Sequence, residues 1–406
     1  MTDETTQTLL KFTGHRHLPS RLLLSTLTGR PIRISQIRPN NVSRQGLQPH
    51  EVSFIRLLDS ITNGSKIEFG MSGSTLVYRP GLITGSAEGL GASGGVLRHE
   101  LGRGCEGRGV SWWIIPLCIL SSFSKGHMNV IFHGEGCVTG AHPVSGDLSV
   151  DSVRTAILPL YKQFGIERDI ELRVLKRSCA PSGGKSAGGE VQIVFNHQVR
   201  LPKTLHLLNP GRVKRIRGVA YAIGVGGSNN ARSIESARGV LNKFVPDTYI
   251  FSDVSGAPFI QTPNDKNNPS GKKKGAVGFG LSLVAESSTG CLYSADVASP
   301  PEGGTTPEDV GRQCAYQLLE VIQQGGCVSR SAAETVFCLM AMGSEDVGRI
   351  AMGRDVIASE NTIQLGRDLR EFGGAGWGFR DKGEGSEEVV VSVVGRGVGN
   401  VGRKAV

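Results

Sequence analysis

Residues 32 to 58, IRISQIRPNNVSRQGLQPHEVSFIRLL, set Arg38, Arg44 and His50 where an alternating β-branched run hands over to an apolar run of helical spacing beginning near Gln48. Gathered at such a turn, these side chains would suit an anion site. The free amides and dipole of a helix start attract phosphate, and two guanidinium forks with an imidazole strengthen that attraction. The plainer account of the same residues is a solvated basic turn. Arg21, Lys176, Arg177 and Arg330 also fall near turns or helix starts, and arginine's planar fork suits phosphate.

Covalent chemistry finds less support. GGKS at 183 to 186 lacks the GxxxxGK[ST] spacing and leads into GGEVQIVF, a strand where a phosphate-cradling loop requires a helix. GVGGSN at 224 to 229 lacks the setting of a dinucleotide fingerprint, and no Gly-x-Ser-x-Gly element joins a strand to a helix. His133, His142 and His197 read as structural histidines, and Glu345 with Asp346 as helix-end acids. The eight cysteines are scattered without a CxxC pair or a Cys/His cluster, the pattern of reduced, buried thiols in a cytosolic or nuclear protein. No catalytic residue, metal site or cofactor is therefore expected.

Behind these residues stands a chain of 406 residues, long enough for two or three domains or for one large repeated domain with an insertion. The net charge of +9 leans toward polyanionic partners, and residues 199 to 297 hold 13 Lys or Arg against 6 Asp or Glu. The start, MTDETTQTLL, lacks the pattern of a leader. The longest apolar stretch, VSWWIIPLCIL, contains a proline and is too short to span a bilayer, so it reads as a core helix and no membrane partner is expected.

The elements repeat. PIRISQIR, PHEVSFIRLLDSITNGS and KIEFGMSGSTLVYRPG form a first strand, helix and strand unit. SWWIIPLCILSSFSKGH, MNVIFHGE, the helical VDSVRTAILPLYKQFGI and IELRVLK form a second. A third begins after residue 298 with the helix TPEDVGRQCAYQLLEVIQQGG and continues through AETVFCLMAMG, ENTIQLGRDLREFGG and VVVSVVG. Between the second and third lies the basic block, with its own helix NARSIESARGVLNKF and strands VKRIRGVAYAIG and AVGFGLSLVAES. A self-contained block interrupting a repeat is an inserted domain. Residues 84 to 109 read as a long surface loop and 182 to 189 as a tight one.

Several of these segments carry a resemblance: SRLLLSTLTGRPIRISQIRPN, QGLQPHEVSFIRLLDSITNGS, STLVYRPG, LPLYKQFGI, LKRSCAPSGG with GGEVQIV, RIRGVAYA, and GSEDVGRI with LGRDLREFG. Over residues 12 to 372 the chain resembles the RNA 3′-terminal phosphate cyclases, and EVSFIRLLDSITNGS and GSEDVGRI resemble their eukaryotic cyclase-like branch in particular. The resemblance implies an α+β fold, a large domain of three βαβαββ-type units with a smaller α+β domain inserted. Residues 1–198 and 298–406 would form the large domain and 199–297 the insert. True cyclases adenylylate a histidine after the insert, whereas the last of the nine histidines here is His206. The corresponding region, MGRDVIASENTIQ, offers only Asp355, Ser359, Glu360 and Asn361, and the enzymes' glycine-rich N-terminal loop is FTGHRHLPSR.

By the same resemblance Arg21, Arg38, Gly46, His50 and Arg177 fall at the family's basic and turn positions, although the enzymes' proline before Gly-Leu is Gln45 here. With Arg44 they would form a phosphate or RNA cradle, and Arg330 would contact a protein partner. The implied function is that of a nucleolar factor of the small-subunit processome without cyclase activity. It would bind pre-rRNA, a small nucleolar RNP and a BMS-type GTPase in support of pre-rRNA cleavage. The alternative is that the chain is itself the endonuclease for a pre-rRNA spacer.

Overall fold

The computed structural model describes residues 9–41, 44–86, 95–166, 170–182, 185–196, 199–261, 271–374, 376–383 and 385–399. The first unit comprises β1 (Leu10–Thr13), α1 (Leu18–Thr28), β2 (Ile32–Ser35), α2 (Pro49–Ile61), β3 (Thr62–Asn63), β4 (Lys66–Phe69), β5 (Leu76–Arg79) and β6 (Leu82–Ile83). Its main sheet runs β1-β2-β5-β4, the first pair parallel and the others antiparallel. The second unit has β7 (Leu97–Glu100), α3 (Ser111–Ser121), β8 (Met128–His133), α4 (Val150–Ser152), β9 (Ile170–Lys176) and β10 (Glu190–Phe195), with strand order β7-β8-β10-β9.

The third sheet opens with β11 (His206–Leu207), and the insert follows it: β12 (Val213–Ile223), α5 (Ser228–Leu241), β13 (Thr248–Ser255), β14 (Phe259–Gln261), β15 (Lys272–Lys274), β16 (Gly278–Ser287), β17 (Leu292–Ala298) and α6 (Pro307–Gln323). The unit resumes at α7 (Arg330–Met342) and ends with β18 (Val347–Gly353), α8 (Arg354–Ile357), α9 (Glu360–Glu371), β19 (Trp377–Asp381) and β20 (Glu388–Val394). Its order, β11-β18-β20-β19, repeats the parallel-then-antiparallel scheme of the other two sheets. The chain is thus α+β, three βαβαββ units with an α+β insert.

The expected boundaries at 199 and 297 differ from this pairing. β11 belongs to the third sheet before the insert begins, and α6 packs on the inserted β16 and β17 and on α5. Cys314 Sγ lies 3.4 Å from the carbonyls of Leu281 and Ala295, and Ser233 Oγ donates to Pro307 O at 2.9 Å. A two-residue strand has no periodicity to betray it, and an amphipathic helix does not announce which sheet it will cover.

The core explains the repeat. α1, α3 and α7, the first helix of each unit, pack in sequence against one another. The middle one is apolar on every side, with Trp113, Ile114, Leu117, Cys118 and Leu120 fully buried, as a helix covered on all faces must be. All eight cysteines are free and buried. The expected helix 150–164 is irregular: α4 runs into a π-type turn over Val153–Ile157 and a 3-10 helix over Leu158–Phe164. Pro159 lacks an N–H and its ring crowds the carbonyl four residues back, so the α ladder cannot continue. Part of the expected 84–109 loop is strand β7; residues 87–94 of it, and 183–184 of the tight loop, lie outside the described residues.

Candidate nucleic-acid cleft

One cleft of about 710 Å³ receives the starts of α1, α3, α7 and α9. Each start has a local cause. Pro19 occupies the first turn of α1. Ser329 and Ser359 adopt extended backbone before α7 and α9, and Ser359 Oγ accepts from Thr362 N. The unsatisfied amides of these first turns carry partial positive charge. Arg16, Arg108 and Arg330 add full charges to the same walls. Arg16 pairs with Glu360 at 2.8 Å and Arg108 with Asp147 at 2.8 Å. Arg330 is exposed and donates a long contact, 3.4 Å, to Asp355 O.

Three polar atoms of the lining lack any hydrogen-bond partner although they are buried: Arg108 Nε, Ser111 Oγ and Ser294 Oγ. Each such buried orphan costs roughly 1–3 kcal/mol, and these three lie behind the cleft wall on residues that line it. His17 also lines it, and burial lowers the affinity of that imidazole for a proton. Ser20 donates to Glu334 on the opposite wall. Among the described residues no group of three His, Cys, Asp or Glu is placed to hold a metal ion.

The cradle residues expected from the sequence are dispersed around this cleft rather than gathered in it. Arg21 is buried against α9, donating from Nε to Asp368 at 3.0 Å and from Nη1 to Thr13 O at 3.2 Å, with its guanidinium over the Phe12 ring. Arg38, at φ +41°, makes a two-pronged ion pair with Glu51, both contacts 2.8 Å. Glu51 also accepts from Gln48 N at 2.8 Å, closing the capping box of α2. Arg44 is exposed on the turn before that helix. His50 packs edge-on to Trp112 and is pressed by burial to a pKa of about 4, so it is neutral at physiological pH.

Arg177 lies elsewhere, between the second unit and the insert. It grips Asp151 with both terminal nitrogens, at 2.6 and 3.1 Å, and Asp253 of β13 through Nε at 2.6 Å. Burial opposes its charge, but the two carboxylates more than offset this and keep it protonated. Of the residues expected from the sequence, only Arg330, Ser359, Glu360 and Asn361 line the cleft. Arg16 and Arg108 were not singled out. The signal for Arg16 was FTGHRHLPSR, basic residues directly before a proline-started helix.

Three repeated units sharing one polar cleft at their helix starts, lined by Arg16, Arg108 and Arg330 and by Asp147, Glu334 and Glu360, define an α+β scaffold. The chain belongs to the RNA 3′-terminal phosphate cyclase family, whose family model matches residues 10–377. It is 39% identical to the human RNA 3′-terminal phosphate cyclase-like protein, over 97% of each chain. It is 36% identical to the rRNA processing protein rcl1 of Schizosaccharomyces pombe, over 98% of each, and 31% identical to the rRNA processing protein RCL1 of Saccharomyces cerevisiae, over 97% of each.

Proposed function

We propose that this chain is a ribosome-assembly factor that holds pre-rRNA phosphates in the cleft between the helix starts and does not cyclise RNA ends. The relatives named as rRNA processing proteins support a role in rRNA processing. The observation that carries the phosphate reading is the convergence of four helix starts, with Arg16, Arg108 and Arg330, on one cleft. The non-cyclising part rests on the sequence, which has no histidine after His206. Arg21 and Arg38 then act as positioning residues that fix α1 against α9 and the turn before α2, with Arg44 beside them as a free outer contact.

In this reading the protein works in the nucleolus, within the small-subunit processome and beside its small nucleolar RNP, supporting the cleavage that matures small-subunit rRNA. Arg330, exposed at the rim, is the contact for a BMS-type GTPase. RNA affinity measured across a salt series tests the cleft. Arg16→Ala with Arg108→Ala should weaken binding to pre-rRNA and lower the salt slope by about one per lost phosphate contact. An unchanged slope removes the cleft from RNA binding. Arg330→Glu should reduce recovery of the GTPase in co-purification, and full recovery moves that contact elsewhere.

The second reading, RNA cleavage by the chain itself, draws on His17, Glu334 and Glu360 in the same walls, an imidazole and two carboxylates of the kind general acid–base scission uses. Purified protein incubated with labelled spacer RNA, with and without divalent metal, decides it. Site-specific cleavage lost in Glu334→Gln supports the nuclease, and binding without cleavage removes it.

A further inference from the structure

The insert carries a second surface that the cleft does not use. Its sheet runs β13-β12-β16-β17, and α5 and α6 cover one face. On the other face Arg217 stands opposite Tyr249, Val219 opposite Phe251 and Tyr221 opposite Asp253. Tyr249 and Phe251 are 57% and 55% exposed, and their rings meet edge to face at 4.7 Å. Two large aromatic rings left in water on adjacent same-face positions forgo burial, which a domain of this size has the means to supply.

Phe251 opens onto a groove. Phe251, Arg217, Val219, Arg154, Arg177 and Asp253 line one compartment of about 380 Å³. Arg154, Arg177 and Asp253 also line the next, of about 400 Å³, which continues past Lys176 to Pro258. The two compartments present four cations, each already paired: Arg154 with Asp151, Lys176 with Glu190, Arg177 with Asp151 and Asp253, and Arg217 with Asp247. Past Pro258 the hairpin strand β15 holds Lys272, Lys273 and Lys274, all exposed, with Lys274 opposite the exposed Phe259.

We propose that this face of the insert is a base-stacking platform for single-stranded RNA, with Tyr249 and Phe251 taking bases and the groove from Arg217 to Lys176 following the backbone. Charge selects the occupant: residues 199 to 297 hold 13 Lys or Arg against 6 Asp or Glu, and Lys272, Lys273 and Lys274 stand exposed at the end of the groove, so an apolar peptide gains nothing here, whereas a single strand needs both stacking faces and cations along its path. A sheet that shows aromatic rings to solvent, here along its β13 edge, has the means to hold unstacked RNA bases. The duplex is a poor fit, because its bases have no free faces to offer. The inference goes beyond the cleft and stands without it, since the two surfaces share no residue.

The test uses the full chain and two fluorescent probes, an oligouridine of about 12 nucleotides and an RNA duplex of the same length. Tyr249→Ala with Phe251→Ala should weaken binding of the single strand about ten- to a hundredfold and leave the duplex unchanged. Phe251→Trp should keep wild-type affinity, and its indole emission should be quenched as the single strand binds. Both rings are exposed, so the core that folds the insert is untouched. Arg16→Ala with Arg108→Ala, measured alongside, separates the cleft: its loss or retention leaves the aromatic effect in place. The proposal fails if the double alanine variant binds the single strand as wild type does, if the duplex weakens equally, or if Phe251→Trp loses as much affinity as the alanine. Unchanged RNA binding would leave the face to a protein partner instead.

Discussion

At the scale of single residues, the basic side chains legible in the sequence divide by what they touch. Arg38 illustrates the division: its place in a basic turn was readable, but its commitment to Glu51 was not, because the carboxylate arrives from the helix that follows the turn. That pair sits over a backbone at φ +41°, a region non-glycine residues rarely occupy, and Glu51 holds it there while capping α2. Glu51→Gln leaves the half-buried guanidinium without its counter-charge and should cost about 2 kcal/mol in urea denaturation; an unchanged midpoint would show that the pair contributes nothing. His50 and His99 supply a pH dependence. Burial presses both to about 4, from 6.5 when unperturbed. The unfolded chain therefore binds protons that the folded one refuses, so this stability is complete above about pH 6.5 and is lost as the pH falls toward 4. The two together amount to on the order of a few kcal/mol. Melting temperatures taken from pH 7 to about 5 should fall less steeply in His50→Phe than in the wild type.

At the scale of elements, β2, β8, β9, β10, β12, β16 and β20 and the helices α2, α3, α5 and α6 were legible because their apolar residues recur with the right period or run together, whereas β13, β17 and β18 were not singled out. The misreadings have physical sources. Pro159 breaks a helix whose apolar spacing still looks helical, and β7 hides beside glycines because four residues suffice for a strand. The turn that starts α2 depends on Gly46, at φ +76°, where an added Cβ would lie 2.5 Å from Ser72 O. Gly46→Ala should therefore destabilise the chain by roughly 1–3 kcal/mol and shift the turn bearing Arg44. Protection of the α2 amides in hydrogen exchange reads the change locally, and unaltered protection would mean that the turn tolerates the side chain.

At the scale of the whole molecule, the cleft was the least legible feature, since its walls come from α1, α3, α7 and α9, starts separated by hundreds of residues. Two clamps hold the insert that contributes Ser294 and Val321 to it. Asp296 of β17 accepts from Ser149 N at 2.8 Å, Ser149 Oγ at 3.0 Å and Ser152 Oγ at 2.7 Å, across the boundary at the start of α4. Arg177 closes the other side through Asp151 and Asp253. Both clamps are polar and lie outside the apolar cluster, so their loss should uncouple the domains rather than unfold them. Asp296→Ala with Arg177→Ala is expected to split a single calorimetric transition into two. One transition shifted downward as a unit would instead show that the domains are joined through the shared apolar core, where Val310, Cys314 and Leu318 of α6 continue the hydrophobic cluster of the repeats.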